Sequence, residues 1–106
     1  MDKSALLAQR VGVDTEEVEI PGVGTVTVRG LSRFEFLLCQ KRFPDDAMAS
    51  ERASLALAMV EPELTEDEVG QWQKSSQPDE INRVALVVNR LSGIGEGADK
   101  SGVPEA

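Results

Sequence analysis

Three glycines near the start of the chain have a spacing that first suggests phosphate binding. Gly22, Gly24 and Gly30 lie within EIPGVGTVTVRG, and glycine-rich loops bind phosphates through backbone amides at a helix N-terminus. A P-loop requires GxxxxGK[ST], but this segment has no lysine at the required position. A dinucleotide fingerprint requires a helix directly after the glycines, whereas Val26 and Val28 here alternate with polar residues as in a strand. Both phosphate motifs fail, and a hairpin turn is predicted.

The remaining reactive side chains lack the partners that catalysis needs. The chain has no histidine, which removes the usual general base, the Ser-His and Cys-His pairs and most zinc sites. The single cysteine, Cys39, lies in the apolar run FEFLLC and is interpreted as a buried structural thiol rather than a reactive one. We therefore predict no catalytic residue, no cofactor and no metal site; a tight pocket holding two acidic groups with raised pKa values would revive the alternative of a small enzyme.

The charges are distributed unevenly along the chain. Seven carboxylates between residues 61 and 80 face one lysine and lack the spacing of a calcium loop, so a solvated, well-capped surface is predicted. The basic residues lie earlier, and intramolecular pairing with the acidic run is the favoured interpretation, with head-to-tail self-association as the alternative. These basic residues are Arg29, Arg33, Lys41, Arg42 and Arg52.

Composition limits the classes of partner. The chain has 106 residues and a formal net charge of −8, which opposes binding to nucleic acids or to anionic membranes. No apolar run approaches the length of a membrane span, and the N-terminal one is too short for a signal peptide. We expect a cytoplasmic protein with protein partners.

The elements that would position these residues begin with the hairpin. Val18 and Ile20, and then Val26 and Val28, alternate with polar residues around PGVG, which predicts two strands joined by a loop of about four residues. Ahead of them, Ser4–Val11 is predicted as a docked short helix or a frayed arm.

Two helices are predicted after the hairpin. Ser32 and Glu35 form a capping box for the first, which places Phe34, Leu37 and Leu38 on one face before Pro44 stops it. The segment FPDDAMAS is predicted as a connection. A second, broadly apolar helix is predicted from about residue 50 until Pro62.

Two further helices complete the predicted order. Thr65 and Glu68 form a second capping box, ahead of a short helix that carries Trp72. Pro78 suits the first turn of the last helix. That helix has an apolar stripe at i, i+3, i+4 and i+7: Ile81, Val84, Ala85, Val88 and Leu91.

Leu86 and Val87 lie off the stripe of the last helix. Central burial is the favoured interpretation, and contact with a partner is the alternative. Ser92 and Gly93 end the helix, and the polar, glycine-rich residues that follow are predicted to be a flexible tail. The predicted fold is α+β and mostly α, with an arm at 1–15, one domain at 16–93 and a tail at 94–106.

Three segments resemble the phage tail assembly chaperones of long-tailed bacteriophages. They are VEIPGVGTVTVRGLSRFEF, MVEPELTEDEVGQW and DEINRVALVVNRLSG, which cover most of residues 16–93. The similarity is one of fold pattern and spacing, without a catalytic fingerprint. The resemblance implies a non-enzymatic protein of the infected host cell that binds the helical tape measure protein, keeps it from aggregating and helps recruit tail-tube subunits, the major tail protein. It also implies absence from the mature virion and, often, a longer product made by frameshifting.

The side chains predicted to meet a partner come from three elements. They are Leu6, Leu7, Trp72, Leu86 and Val87. We expect the tape measure protein as the main partner, in a helix-in-groove mode. The alternative function is a structural phage component, such as a tail-completion or head–tail joining subunit, that self-associates through its opposite charges.

Overall fold

Residues 2–94 are described by the computed structural model and form five helices and three strands. The predicted tail at 94–106 lies outside this range except for Ile94. In chain order the elements are α1 (Lys3–Leu7), β1 (Thr15–Ile20), β2 (Gly24–Arg29), α2 (Arg33–Arg42), α3 (Ala47–Ala58), β3 (Met59–Glu61), α4 (Glu66–Ser75) and α5 (Pro78–Leu91). The α+β, mostly helical class and the N-terminal hairpin are confirmed.

The glycines near the start of the chain form the turn of the β1–β2 hairpin. The amide of Val23 donates to the carbonyl of Ile20 over 2.9 Å, with Pro21 and Gly22 between them. Gly22 has φ of 80°, so these residues form a type II turn, in which proline suits the first central position and glycine the second. The strands pair from Thr15 opposite Arg29 to Ile20 opposite Gly24, which leaves three residues in the loop.

A third strand extends the sheet and corrects the prediction for α3. The predicted helix ran from about residue 50 to Pro62, but α3 begins at Ala47, after Asp46 accepts from the amide of Ala49 over 3.1 Å. It ends at Ala58, and Met59–Glu61 pair antiparallel with β2. The strand order is β1-β2-β3. Pairing with β2 supplies the backbone partners that the shortened helix no longer provides.

The inner face of the sheet and α5 form the core. Val18 pairs across the strands with Val26, and Val18 and Val28 are buried. The predicted stripe of α5 faces these strands, since α5 packs on β1 and β2 and three of its residues are buried: Ile81, Val84 and Val88. The outer face of the sheet carries Glu17 opposite Thr27 and Glu19 opposite Thr25.

The predicted starts of α2, α4 and α5 and the predicted end of α5 are confirmed. Ser32–Glu35 and Thr65–Glu68 both form complete capping boxes, and Pro78 occupies the first turn of α5. Gly93 has φ of 80° after the end of α5, the left-handed conformation that favours glycine there. Helix α1 is shorter than the predicted Ser4–Val11.

The end of α5 packs tightly against the link between β2 and α2. A Cβ added at Gly30 would lie 2.5 Å from the carbonyl oxygen of Leu91. The amide of Leu31 donates to Ser92 Oγ over 2.7 Å, and that hydroxyl donates to the carbonyl of Val88 over 2.6 Å. We refer to Gly30, Leu31, Leu91 and Ser92 as the α5 junction. It joins residues far apart in the sequence and fixes where α2 leaves the sheet.

Candidate partner-binding surfaces

The outer side of α2 is an apolar face with nothing packed on it among the described residues. Phe34 is 72% exposed, Leu37 47% and Leu38 40%. The sequence correctly places the three on one face, at i, i+3 and i+4, but this face points to solvent. The side toward α3 instead carries Cys39, which is 2% exposed as predicted for a structural thiol, and half-buried Phe36. We call Phe34, Leu37 and Leu38 the α2 face.

Basic side chains border the α2 face. Arg33 lies one turn before Leu37 and Lys41 one turn after it, on the same side of the helix by the 3.6-residue period. Neither forms an ion pair within residues 2–94. The face is therefore apolar at its centre and positively charged at its edges.

The start of α2 is fixed by Glu35. Its Oε1 accepts from the amide of Ser32 over 2.9 Å, and its carboxylate meets Arg29 at 3.2 and 2.9 Å. Both side chains are about three-quarters covered, with 25% and 23% of Arg29 and Glu35 exposed. The hydrogen bonds from Arg29 hold the pKa of Glu35 below its ordinary value, assisted by the Ser32 amide. This clamp determines the direction in which α2, and hence the α2 face, projects.

An open groove lies between the hairpin tip and the helices α4 and α5, with a volume of about 500 Å³. Its apolar wall comes from the hairpin, β3 and the connection to α4, and consists of Ile20, Val23, Val26, Met59, Pro62 and Leu64. The opposite wall carries Trp72 beside polar side chains: Glu68, Gln71, Ser75, Ser76 and Glu80. We call this concavity the Trp72 groove.

Trp72 is held in place at the groove by its polar atom. The indole Nε1 donates to Glu80 Oε2 over 2.7 Å, and Ser76 Oγ donates to the carbonyl of Trp72 over 2.7 Å. The ring also packs against the core cluster. Because the only N–H of the indole is already bonded, the ring offers a ligand an apolar face alone.

The five residues predicted to contact a partner do not converge. Leu6 is 50% exposed, Leu7 76% and Leu86 63%, so central burial was wrong for Leu86. Val87 and Trp72 are partly buried and pack against the core. Trp72 lines the Trp72 groove, whereas the other four do not. Their role in partner binding stays a prediction.

The charge layout is partly resolved by internal pairs. The guanidinium of Arg42 donates to the two carboxylate oxygens of Glu66 over 2.8 and 3.2 Å. This ion pair links α2 to the start of α4, as the favoured interpretation of intramolecular pairing predicted. Arg52 donates to Gln73 over 3.3 Å. Self-association through the remaining charges stays a prediction.

Sequence reasoning did not find the Trp72 groove, because its walls come from four separate segments that only the fold brings together. One signal was available. A tryptophan is the largest side chain in a chain with few aromatics, and here it lies in a short, otherwise polar helix, so a special environment was to be expected.

Residues 2–94 contain neither a cluster of metal ligands nor a membrane-spanning helix. No three Cys, Asp or Glu side chains in that range come together as metal ligands. No helix in it is long and apolar enough to cross a membrane.

Comparison with models of protein families, with curated proteins and with solved structures found no match.

Proposed function

We propose that this protein is a non-enzymatic phage tail assembly chaperone that binds the tape measure protein, keeps it soluble and helps recruit subunits of the major tail protein. The α2 face is the observation that supports this proposal most directly. A helix of ten residues that exposes a phenylalanine and two leucines loses apolar contact with water when another helix covers it. The resemblance of the three sequence segments implies the tape measure protein as the source of that helix.

The α2 face suits an amphipathic helix rather than an extended strand. Its three side chains follow the i, i+3, i+4 spacing of one helical side, which is how helices contact each other across a groove. The proposed place of action is the cytoplasm of the host bacterium during infection or from a prophage. The mature virion would lack the chain.

Co-expression with the tape measure protein of the same phage tests the proposal. The wild-type chain should move the tape measure protein into the soluble fraction and co-purify with it. The double variant F34S/L37S should bind about tenfold more weakly or worse, since each lost side chain removes roughly 1 kcal/mol of burial.

The matched control is V13S/M48S, which removes two apolar side chains that are 63% and 66% exposed elsewhere and should bind as wild type. A tape measure protein that stays insoluble beside the wild-type chain contradicts the proposal. Detection of the chain in purified virions by mass spectrometry would favour the structural phage component instead.

A further inference from the structure

The two walls of the Trp72 groove differ in charge. The hairpin side is hydrocarbon, whereas Glu68 and Glu80 line the helical side. One oxygen of each carboxylate accepts a hydrogen bond within the protein. Glu68 Oε1 accepts from the amide of Thr65 over 2.9 Å, and Glu80 Oε2 accepts from the indole Nε1 of Trp72. Neither pairs with a basic side chain among residues 2–94. Two negative charges thus border an apolar cavity without a basic side chain of the described residues paired to either of them.

We propose that the Trp72 groove binds an apolar helical segment that carries lysine or arginine beside its leucine-like or phenylalanine-like side chains. This inference rests on the proposed function in taking the tape measure protein as the source of the segment. The apolar side chains fill a volume of about 500 Å³, within the range of sites that enclose a few side chains or a small ligand. The basic group lies against the free oxygens of Glu68 and Glu80.

Charge decides between this segment and its alternatives. Covering the groove takes both carboxylates partly out of water, which is unfavourable unless a cation replaces the water. An acidic segment adds like-charge repulsion and is rejected. The α2 face has the opposite preference, because Arg33 and Lys41 border it, so the two surfaces select different segments.

Trp72 supplies the measurement, because it is the one tryptophan in a chain without tyrosine. We would titrate the full-length protein with short amphipathic peptides of leucine and lysine, free of tryptophan and tyrosine, and follow indole emission. Peptides with glutamine or glutamate in place of lysine are the comparison. The leucine–lysine peptide should give a saturable change that weakens as salt is added, the glutamine peptide a weaker one and the glutamate peptide none.

The variant E68Q/E80Q tests the role of the carboxylates. Glutamine at both positions can still accept the internal hydrogen bonds, since a capping box tolerates it, so the fold and the position of Trp72 are kept. Affinity for the leucine–lysine peptide should fall about fivefold, as for two solvent-exposed ion pairs. The control E17Q/E19Q changes the net charge equally on the outer face of the sheet and should bind within a factor of two of wild type.

Three results would overturn the inference. They are equal affinity of the wild-type protein for the lysine and glutamine peptides, equal affinity of E68Q/E80Q and E17Q/E19Q for the lysine peptide, and tighter binding of the glutamate peptide. The co-expression assay separates this inference from the proposed function. If the groove selects the lysine peptide but the chain does not solubilise the tape measure protein, the inference about the groove stands and the proposed function is wrong. If the chain solubilises the tape measure protein but its groove does not select the lysine peptide, the proposed function stands and the inference about the groove is wrong.

Discussion

At the scale of single residues, Glu35 joins the start of α2 to the end of β2. It completes a capping box with Ser32 and forms a bidentate ion pair with Arg29. The side chains of Arg29 and Glu35 are both mostly buried. Charge-assisted pairs of this geometry are stronger than isolated surface pairs. The position of α2 relative to the sheet therefore depends on one carboxylate being ionised.

The variant E35Q should separate the charge of Glu35 from its capping role. Glutamine keeps the capping box and removes the ion pair, so the free energy of unfolding should fall by about 1–2 kcal/mol at pH 7. The folded-state pKa of Glu35 is lowered, so its stabilisation is fully present above the unfolded pKa, near 4.3. It is lost as pH falls through the lower folded value.

Urea unfolding of wild type and E35Q at pH 7 and at pH 2 measures this difference. The gap between the two proteins should close at the acidic end. E19Q, on the exposed outer face of the sheet, is the control and should unfold within about 0.5 kcal/mol of wild type at neutral pH. A gap for E35Q that is as large at pH 2 as at pH 7 would show that the effect is steric.

Local chemistry could be predicted at this scale and long-range pairing could not. The Ser32–Glu35 and Thr65–Glu68 boxes need residues three apart, so the sequence displays both partners together. The bond from Trp72 to Glu80 crosses from one helix to the next. Nothing in the spacing distinguishes Glu80 from the other carboxylates of that acidic run.

At the scale of elements, sequence periodicity did not reveal β3 and did not show what covers the α2 face. Ala58 and Met59 continue the apolar pattern of α3, so the sequence pattern predicts helix across the three residues of β3. A period of two cannot be recognised over so short a segment. The α2 face likewise has the pattern of a buried stripe, and periodicity shows that a stripe exists without showing what covers it.

The α5 junction gives an element-scale prediction. An alanine at Gly30 would place its Cβ 2.5 Å from the oxygen and 2.6 Å from the carbon of the Leu91 carbonyl. Backbone on both sides must shift, so G30A should lower the free energy of unfolding by about 2–3 kcal/mol or more.

The matched control is G70A, in the middle of α4. Its new Cβ would approach Arg52 Cδ at 3.1 Å, and a flexible side chain can move away. Helix propensity favours alanine over glycine by up to about 1 kcal/mol, so G70A should be neutral or stabilising by urea denaturation. A G30A protein as stable as G70A would mean that the junction is looser than described.

At the scale of the whole molecule, α5 completes the core. It supplies three buried residues against the strands, and it is tied to the opposite end of the sequence by Arg90, whose guanidinium pairs with Glu16 at 2.6 Å. The last helix therefore supplies much of the cover on the inner face of the hairpin.

A chain ending at residue 77 should consequently lack a cooperative unfolding transition. Burial of three large aliphatic side chains stabilises by roughly 5–9 kcal/mol, comparable with the total stability of a small domain. Circular dichroism during thermal unfolding measures this, with a chain ending at Ile94 as the control that keeps α5. A two-state transition in the shorter chain would place the core elsewhere.

During translation, the two sides of the α5 junction are synthesised at different times. The bond from the Leu31 amide to Ser92 spans 61 residues, and chains grow at about 5–20 residues per second, so roughly 3–12 s separate the two partners during translation. Until α5 is made, the inner face of the hairpin lacks the cover that this helix supplies. The nascent chain must avoid aggregation during this interval, and a ribosome that pauses before α5 lengthens the period of exposure.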